Sequence, residues 1–195
     1  MRGVFMKKIS LTIITIVSIF LGMSSAQPMS KPIIEPFQYE RDLPAIQAIL
    51  NDYPDLTAES KGFSAGATEQ YITGPEYKTE VLRLNNQTIG FVNYCEHNIS
   101  YLKSYGPYGV LHLIGIEKKY QGKGYGKMLV QRAVEGLRAL KAPGVLLMVK
   151  ANNTTARILY ETEGFSCPLA DKIAQLPPET QTMLASMNLP YTKDF

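Results

Sequence analysis

The chain is poor in the residues that build metal centres and disulfide scaffolds. It holds two cysteines, Cys95 and Cys167, and two histidines, His97 and His112, in 195 residues. The cysteines fall in different apolar segments without metal-ligand spacing, too few for a disulfide framework, so both are expected to be free thiols, with a single bridge formed after export as the alternative. With so few histidines no zinc site is expected either. An excess of charge is missing too. Arg2, Lys7 and Lys8 lie within the first 26 residues, which contain no acid, and the remainder balances 17 Lys and Arg against 17 Asp and Glu. That balance leaves no electrostatic footprint for a nucleic acid, and none is expected as a partner.

A membrane-spanning run is also lacking. The apolar stretch over residues 9–23 is shorter than the ~20 residues a spanning helix needs. It follows three basic residues and precedes Ser24-Ser25-Ala26, with small residues at −3 and −1, which is the layout of a signal peptide. Cleavage near Ala26 is expected, giving an exported protein with no stable membrane association. The alternatives are an uncleaved anchor, or translation from Met29 and a cytoplasmic protein.

What is present reads as one globular domain, with 45% hydrophobic and 19% charged residues. After a proline-punctuated linker at 27–32, a strand is expected over residues 33–37. "YERDLPAIQAILNDY" then places Leu43, Ile46, Ile49 and Leu50 at helical spacing, with Asp42 as the expected cap and Pro44 in the first turn. Residues 55–77 are polar and Gly-rich, with one short helix near 68–72. "KTEVLRLNNQTIGFVNYCEHN" is a hairpin turning at Asn85-Asn86. "VLHLIGI" and "VLLMVK" are apolar enough to be strands buried on both faces. Between them a helix runs from Gly126 with Leu129, Ala133, Val134, Leu137 and Leu140 on one face. "TTARILYETEG" is a second helix, closed by Gly164. Beyond Leu169 a helical tail is expected over 170–195, built on "PPETQTMLASMNLP", with at most a short strand at 165–169.

The segment "IEKKYQGKGYGKMLV" carries the chemistry. A strand running through "QGKGYGK" into a helix exposes backbone N–H groups at the helix start, where the helix dipole also favours an anion. Lys118, Lys119, Lys123 and Lys127 add positive charge. A Walker loop requires Gly and Ser or Thr where Gln121 and Met128 stand, so nucleotide triphosphates held in that way are excluded. The spacing Gly122, Gly124, Gly126 is not that of a dinucleotide fingerprint.

Two segments together narrow the choice. "QGKGYG" resembles the Q/R-x-x-G-x-G/A motif of the GCN5-related N-acetyltransferase (GNAT) family. "NTTARILYETEGF" resembles that family's N-x-x-A-x-x-L-Y-x-x-x-G-F segment through Asn153, Ala156, Leu159, Tyr160, Gly164 and Phe165. The resemblance covers about residues 33–165. It implies an α/β domain over 33–169 with a mixed, mainly antiparallel sheet flanked by helices, and central strands splayed at an acetyl-CoA site.

Activity and site residues follow as what the resemblance implies: transfer of acetyl from acetyl-CoA to a small-molecule or peptide primary amine by direct attack, without a metal. Gln121, Gly122, Lys123, Gly124, Tyr125, Gly126 and Lys127 would cradle the pyrophosphate, although Tyr125 also reads as packing. Leu113, Ile114 and Ile116 would offer backbone groups to the pantetheine arm and polarise the thioester carbonyl. Tyr160 would protonate the departing thiolate, unless it is an aromatic core residue. His112 would take the amine proton, with Glu117 as alternative; their plainer readings are a satisfied core histidine and a solvated carboxylate. Asn153, with Ala156 beside it, would touch the cofactor or serve only as a helix cap. The alternatives to this activity are an exported CoA-binding module without turnover and an acyltransferase using a longer acyl-CoA.

Overall fold

The computed structural model describes residues 30–53, 65–96, 107–184 and 188–195. The leader, and most of the polar loop expected before the short helix, lie outside the described residues. Among those described, no helix is long and apolar enough to cross a membrane, and no three potential metal ligands cluster.

The strand β1 (Ile33–Pro36) leads into helix α1 (Tyr39–Asn51), and helix α2 (Ala65–Thr73) precedes the hairpin of β2 (Tyr77–Leu84) and β3 (Gln87–Cys95). Asn85 and Asn86 both take positive φ, 51° and 62°, as a tight hairpin turn demands of its two central residues. Next come β4 (Gly109–Ile116), a short 3-10 turn (Lys118–Tyr120), helix α3 (Tyr125–Ala139), β5 (Gly144–Lys150) and helix α4 (Thr154–Thr162). Helices α5 (Pro168–Ala174) and α6 (Pro178–Met183) precede a last strand, β6 (Asn188–Asp194).

The six strands lie in sequence order, all neighbours antiparallel except β4 and β5. Alternating side chains divide the core between the two faces of the sheet. Val81 and Phe91 pack with Leu43, Ile46, Ile49 and Leu50 of α1 on one face. On the other, Leu82, Val92, Val145 and Leu147 pack with Leu129, Ala133 and Leu137 of α3. The helical spacings read from the sequence thus correspond to buried faces, and Gly164 takes the left-handed φ of 83° just past α4.

Two expectations fail. Asp42 does not cap α1: the helix begins at Tyr39, one turn earlier, and Pro44 lies inside it. The Asp42 carboxylate instead reaches back to the Gln38 N–H (2.8 Å) and is fully buried against Arg83 (3.1 Å), Arg41 (2.8 Å) and the Thr88 hydroxyl (2.7 Å). The expected helical tail also ends differently. α6 begins at the second of the two prolines, but residues 188–194 pair along all of β5, from Gly144↔Asp194 to Lys150↔Asn188. Pro190 obscured this strand in the sequence; on an edge strand its missing N–H can face solvent, while Leu189 and Tyr191 fill the core.

Burial pushes the Asp42 carboxyl up, but hydrogen bonds from Arg41, Thr88 and the Gln38 N–H outweigh it, so its pKa is depressed in the folded chain. A depressed folded pKa stabilises above the unfolded value of about 4 and loses that contribution as pH falls through the folded one. Asp42→Ala is therefore expected to cost about 3 kcal/mol at pH 7, as the loss of a buried pair's partner does. The deficit relative to wild type should shrink below pH 4 in urea melts.

Candidate active site

β4 and β5 run parallel, yet their ladder stops after Gly109↔Val145 and Val110↔Leu146. Farther along, β4 remains paired with β3, and residues 111–116 have no partner on the β5 side among the described residues. The sheet therefore opens at its centre into a V whose β4 wall offers unpaired backbone groups, an edge onto which an extended ligand can add. Side chains leave that wall free: Leu113 packs towards α1, and Ile114 and Ile116 towards α3. The sequence reading expected "VLHLIGI" to be buried throughout, but His112, Leu113 and Ile114 are only half-buried because the strands diverge there.

His112 occupies a β-bulge. Asn93 pairs with Leu113 and Tyr94 with Leu111, so His112 is the extra residue of β4. Bulges re-aim side chains, and this one sets the imidazole against Tyr71 and Tyr77, with ring centroids at 4.6 and 5.4 Å. Burial pushes its pKa down to about 4, and Nδ1 is buried without a hydrogen-bond partner. His112 is therefore neutral at pH 7 and a weak proton acceptor.

The glycine turn follows at the open end of the V. Gly122 and Gly124 take φ of 71° and 82°, and a Cβ on either would meet nothing within 4 Å. Glycine is required there by the left-handed backbone and leaves room above it. Gly124 also starts α3, whose first-turn N–H groups receive no side-chain cap. Gly126 differs: its Cβ would stand 3.1 Å from Leu159 Cδ2, so it lets α3 and α4 approach closely. Tyr125 is half-buried beside Tyr120, at 6.5 Å between ring centroids.

The lysines divide. Lys118 pairs with Asp52, Lys119 with Glu117 and Lys127 with Glu163. Lys123 lies over the Tyr120 ring at 5.2 Å and has no carboxylate partner among the described residues. It is the cation best placed to meet an anion at the turn.

Gln121 is exposed, yet its amide ties the turn to the end of β4. Its Nε2 donates to the Tyr53 hydroxyl and to the Ile116 carbonyl (3.1 Å), and Tyr53 donates to the same carbonyl (2.7 Å). Tyr53, just beyond α1, carried no signal in the sequence, yet it joins the end of β4 to the turn. Tyr53→Phe removes one donor and one acceptor from that joint. At ~1 kcal/mol per hydrogen bond, acetyl-CoA binding measured by calorimetry is expected to weaken about fivefold.

The remaining predicted residues sit as follows. Tyr160 faces the core from α4, 5% exposed, with Phe165 at 5.9 Å and Tyr191 at 6.4 Å between ring centroids. Burial alone raises its pKa, which keeps the phenol protonated at neutral pH. Glu117 accepts a 2.7 Å ion pair from Lys119. Asn153 caps α4, its Oδ1 accepting from the Ala156 N–H at 3.1 Å, and Ala156 packs on the core. Cys95 and Cys167 are free and buried.

A mixed sheet that splits between two central parallel strands, with a glycine turn and an uncapped helix at the mouth, is the arrangement that the resemblance in the sequence implied. Residues 75–167, from just before β2 past α4, match the family model described as Acetyltransferase (GNAT) domain, and the chain carries that domain over those residues. It is 40% identical over 58 residues to the mycothiol acetyltransferase of Beutenbergia cavernae, a match covering 30% of this chain and 20% of that protein. The match to the Thermomonospora curvata mycothiol acetyltransferase is 35% over 72 residues, covering 37% and 24%. The chain thus spans a quarter or less of these curated relatives.

Similar solved structures include the ribosomal-protein-S18-alanine N-acetyltransferase from Escherichia coli, at TM-score 0.59 and 20% identity over 84% of this chain and 94% of that one. Arabidopsis thaliana NAA60 in complex with a bisubstrate analogue gives 0.62 and 16% over 84% and 98%. At these identities the likeness concerns the fold.

Proposed function

We propose that the protein transfers an acetyl group from acetyl-CoA to a primary amine by direct attack. The observation that carries this reading is the parallel ladder that ends after Val110 and opens beside the uncapped start of α3. The residues present suit the cofactor: the open space over Gly122 and Gly124 accommodates a pyrophosphate, and the β4 edge left unpaired beyond Val110 offers backbone groups to an extended, amide-bearing arm. When bound, acetyl-CoA supplies the activated acyl group. Backbone N–H groups of β4 polarise its carbonyl, and Tyr160, held protonated, supplies the proton that the leaving sulfur gains as the C–S bond breaks and the C–N bond forms.

The proton of the amine needs another route. His112 holds protons poorly at neutral pH, and Glu117 is engaged by Lys119. Solvent therefore takes that proton and returns one to the Tyr160 phenolate after the thiol has left, and kcat/KM is expected to rise with pH towards the pKa of the acceptor amine, with no step near 6.5.

Calorimetry with acetyl-CoA and a thiol-release assay over an amine panel test the reading; absence of acetyl-CoA binding would refute it. The lack of a strong base favours one second reading, a CoA-binding module without turnover, which predicts binding and no thiol release. Export by the leader remains part of the proposal, and mass spectrometry of the mature N-terminus checks it.

A further inference from the structure

A cleft of ≈ 540 Å³ opens where β1 ends and β2 continues alone at the sheet edge. Phe37, Tyr39, Ile72, Tyr77 and Tyr94 give it aromatic and apolar walls. Its charges are largely committed: Glu80 is bound by Arg132 (2.6 and 2.8 Å) and by the Tyr94 hydroxyl (3.2 Å), and the Tyr39 hydroxyl donates to Glu69. Lys78 is the other charged side chain of the lining.

Behind this lining stand two polar atoms without partners. Tyr77 touches the His112 ring, and Thr79 accepts a 2.9 Å hydrogen bond from Asn93 Nδ2. The Thr79 hydroxyl proton is already given to the Ile72 carbonyl at 2.7 Å, and Asn93 Nδ2 also donates to the Tyr71 carbonyl at 2.9 Å. Both partners are acceptors towards Asn93, so the amide orientation is fixed and Oδ1 is turned away from them. Asn93 is 0% exposed, yet Oδ1 has no partner, and neither has His112 Nδ1. The bulge makes them neighbours, since Asn93 faces Leu113, the residue after His112. Among the described residues the other two buried side-chain atoms without a hydrogen bond, Glu35 Oε1 and Glu163 Oε1, are held in ion pairs by Arg41 and Lys127; the two at the bulge have neither, and with the imidazole protonated at Nε2 both are acceptors that ask for a donor.

We infer that the cleft seats the body of the acceptor and that its amino group, entering past Tyr77, donates to His112 Nδ1 and Asn93 Oδ1. The acceptor class is a primary amine on an aromatic or branched apolar body. This rests on the acetyl-transfer reading. The rings shield the two atoms from water, so Tyr77 swings aside as the amine enters, a side-chain adjustment usual on binding.

The chain's two histidines make the test direct. With selectively labelled histidine in the full chain, NMR resolves two imidazole signals, and His112→Phe, which preserves ring packing, assigns them. Phenethylamine is expected to shift the His112 signal saturably, while 3-phenylpropionate, with the same ring and no amine, leaves it in place. Thr73→Trp, which fills the cleft from its exposed rim, should weaken the phenethylamine response at least tenfold. An unmoved His112 signal at millimolar phenethylamine, or an undiminished response in the tryptophan variant, overturns the inference. Acetyl-CoA calorimetry on the same samples reads the acetyl-transfer proposal separately: binding of acetyl-CoA without the phenethylamine shift refutes the seat alone.

Discussion

Gly124→Val is expected to weaken acetyl-CoA binding by at least about 100-fold, equivalent to ~2.7 kcal/mol, while the protein remains folded. Gly124 sits at φ 82° at the start of α3, where an L residue pays roughly 1–2 kcal/mol and a β-branched one resists most. The melting temperature should fall by a few degrees, given ~2–4 °C per kcal/mol for a domain of this size. No packing clash adds to that, because a Cβ there meets nothing within 4 Å. The larger effect is on the ligand: the isopropyl group would occupy the space above the free N–H groups, and a relaxed backbone would turn them away. Gly126→Ala is the contrasting control, since its methyl group meets Leu159 at 3.1 Å within the helix contact and disturbs packing before the cradle. Calorimetry and thermal melts on the two variants separate these causes. An unchanged affinity in Gly124→Val would show that the anion does not lie over this turn.

Local signals made much of this arrangement legible. The hairpin could be read because Asn85-Asn86 is a turn pair for two left-handed residues, and α3 because Leu129, Ala133 and Leu137 repeat at helical spacing. The cradle was visible because left-handed backbone at a strand-to-helix turn leaves glycines in the sequence. What remained hidden depends on tertiary contact. Asp42 looks like a cap when only its neighbours are considered, and becomes a buried ion-pair centre once Arg83 arrives from β2. The strand β6 contains Pro190 and takes its place through the full register of β5. The bulge at His112 leaves no trace in "VLHLIGI", since it is a property of the β3 and β4 pairing. Tyr53 acts through the Ile116 carbonyl, 63 positions along the chain, and no periodicity links them.

The same distinction bears on the chemistry. A histidine on this strand reads as a base while its ordinary pKa of ~6.5 is assumed, but burial under Tyr71 and Tyr77 takes that property away. The geometry leaves His112 as a hydrogen-bond acceptor. Burial of Tyr160 raises its pKa and keeps the phenol neutral, so in the proposed reaction its O–H is present to hydrogen-bond the departing sulfur and to protonate it once negative charge has built up there.

Tyr160→Phe is accordingly expected to lower the rate of thiol release by about 10²-fold, within the range for general acid–base catalysis, and to leave acetyl-CoA affinity within twofold. The substitution retains the ring that packs between Phe165 and Tyr191. The hydroxyl has no hydrogen-bond partner among the described residues, so its removal leaves no partner unsatisfied and stability should be unchanged or slightly raised. A structural role for Tyr160 predicts the reverse pattern, a lowered melting temperature with turnover per folded molecule preserved. The leaving-group dependence separates the roles further. If the phenol donates the proton, thiol release in the variant recovers with acyl donors whose thiol is more acidic, because a better leaving group needs less protonation. An equal loss with every leaving group would place Tyr160 in positioning the sulfur, and wild-type turnover in the variant would remove it from the chemistry.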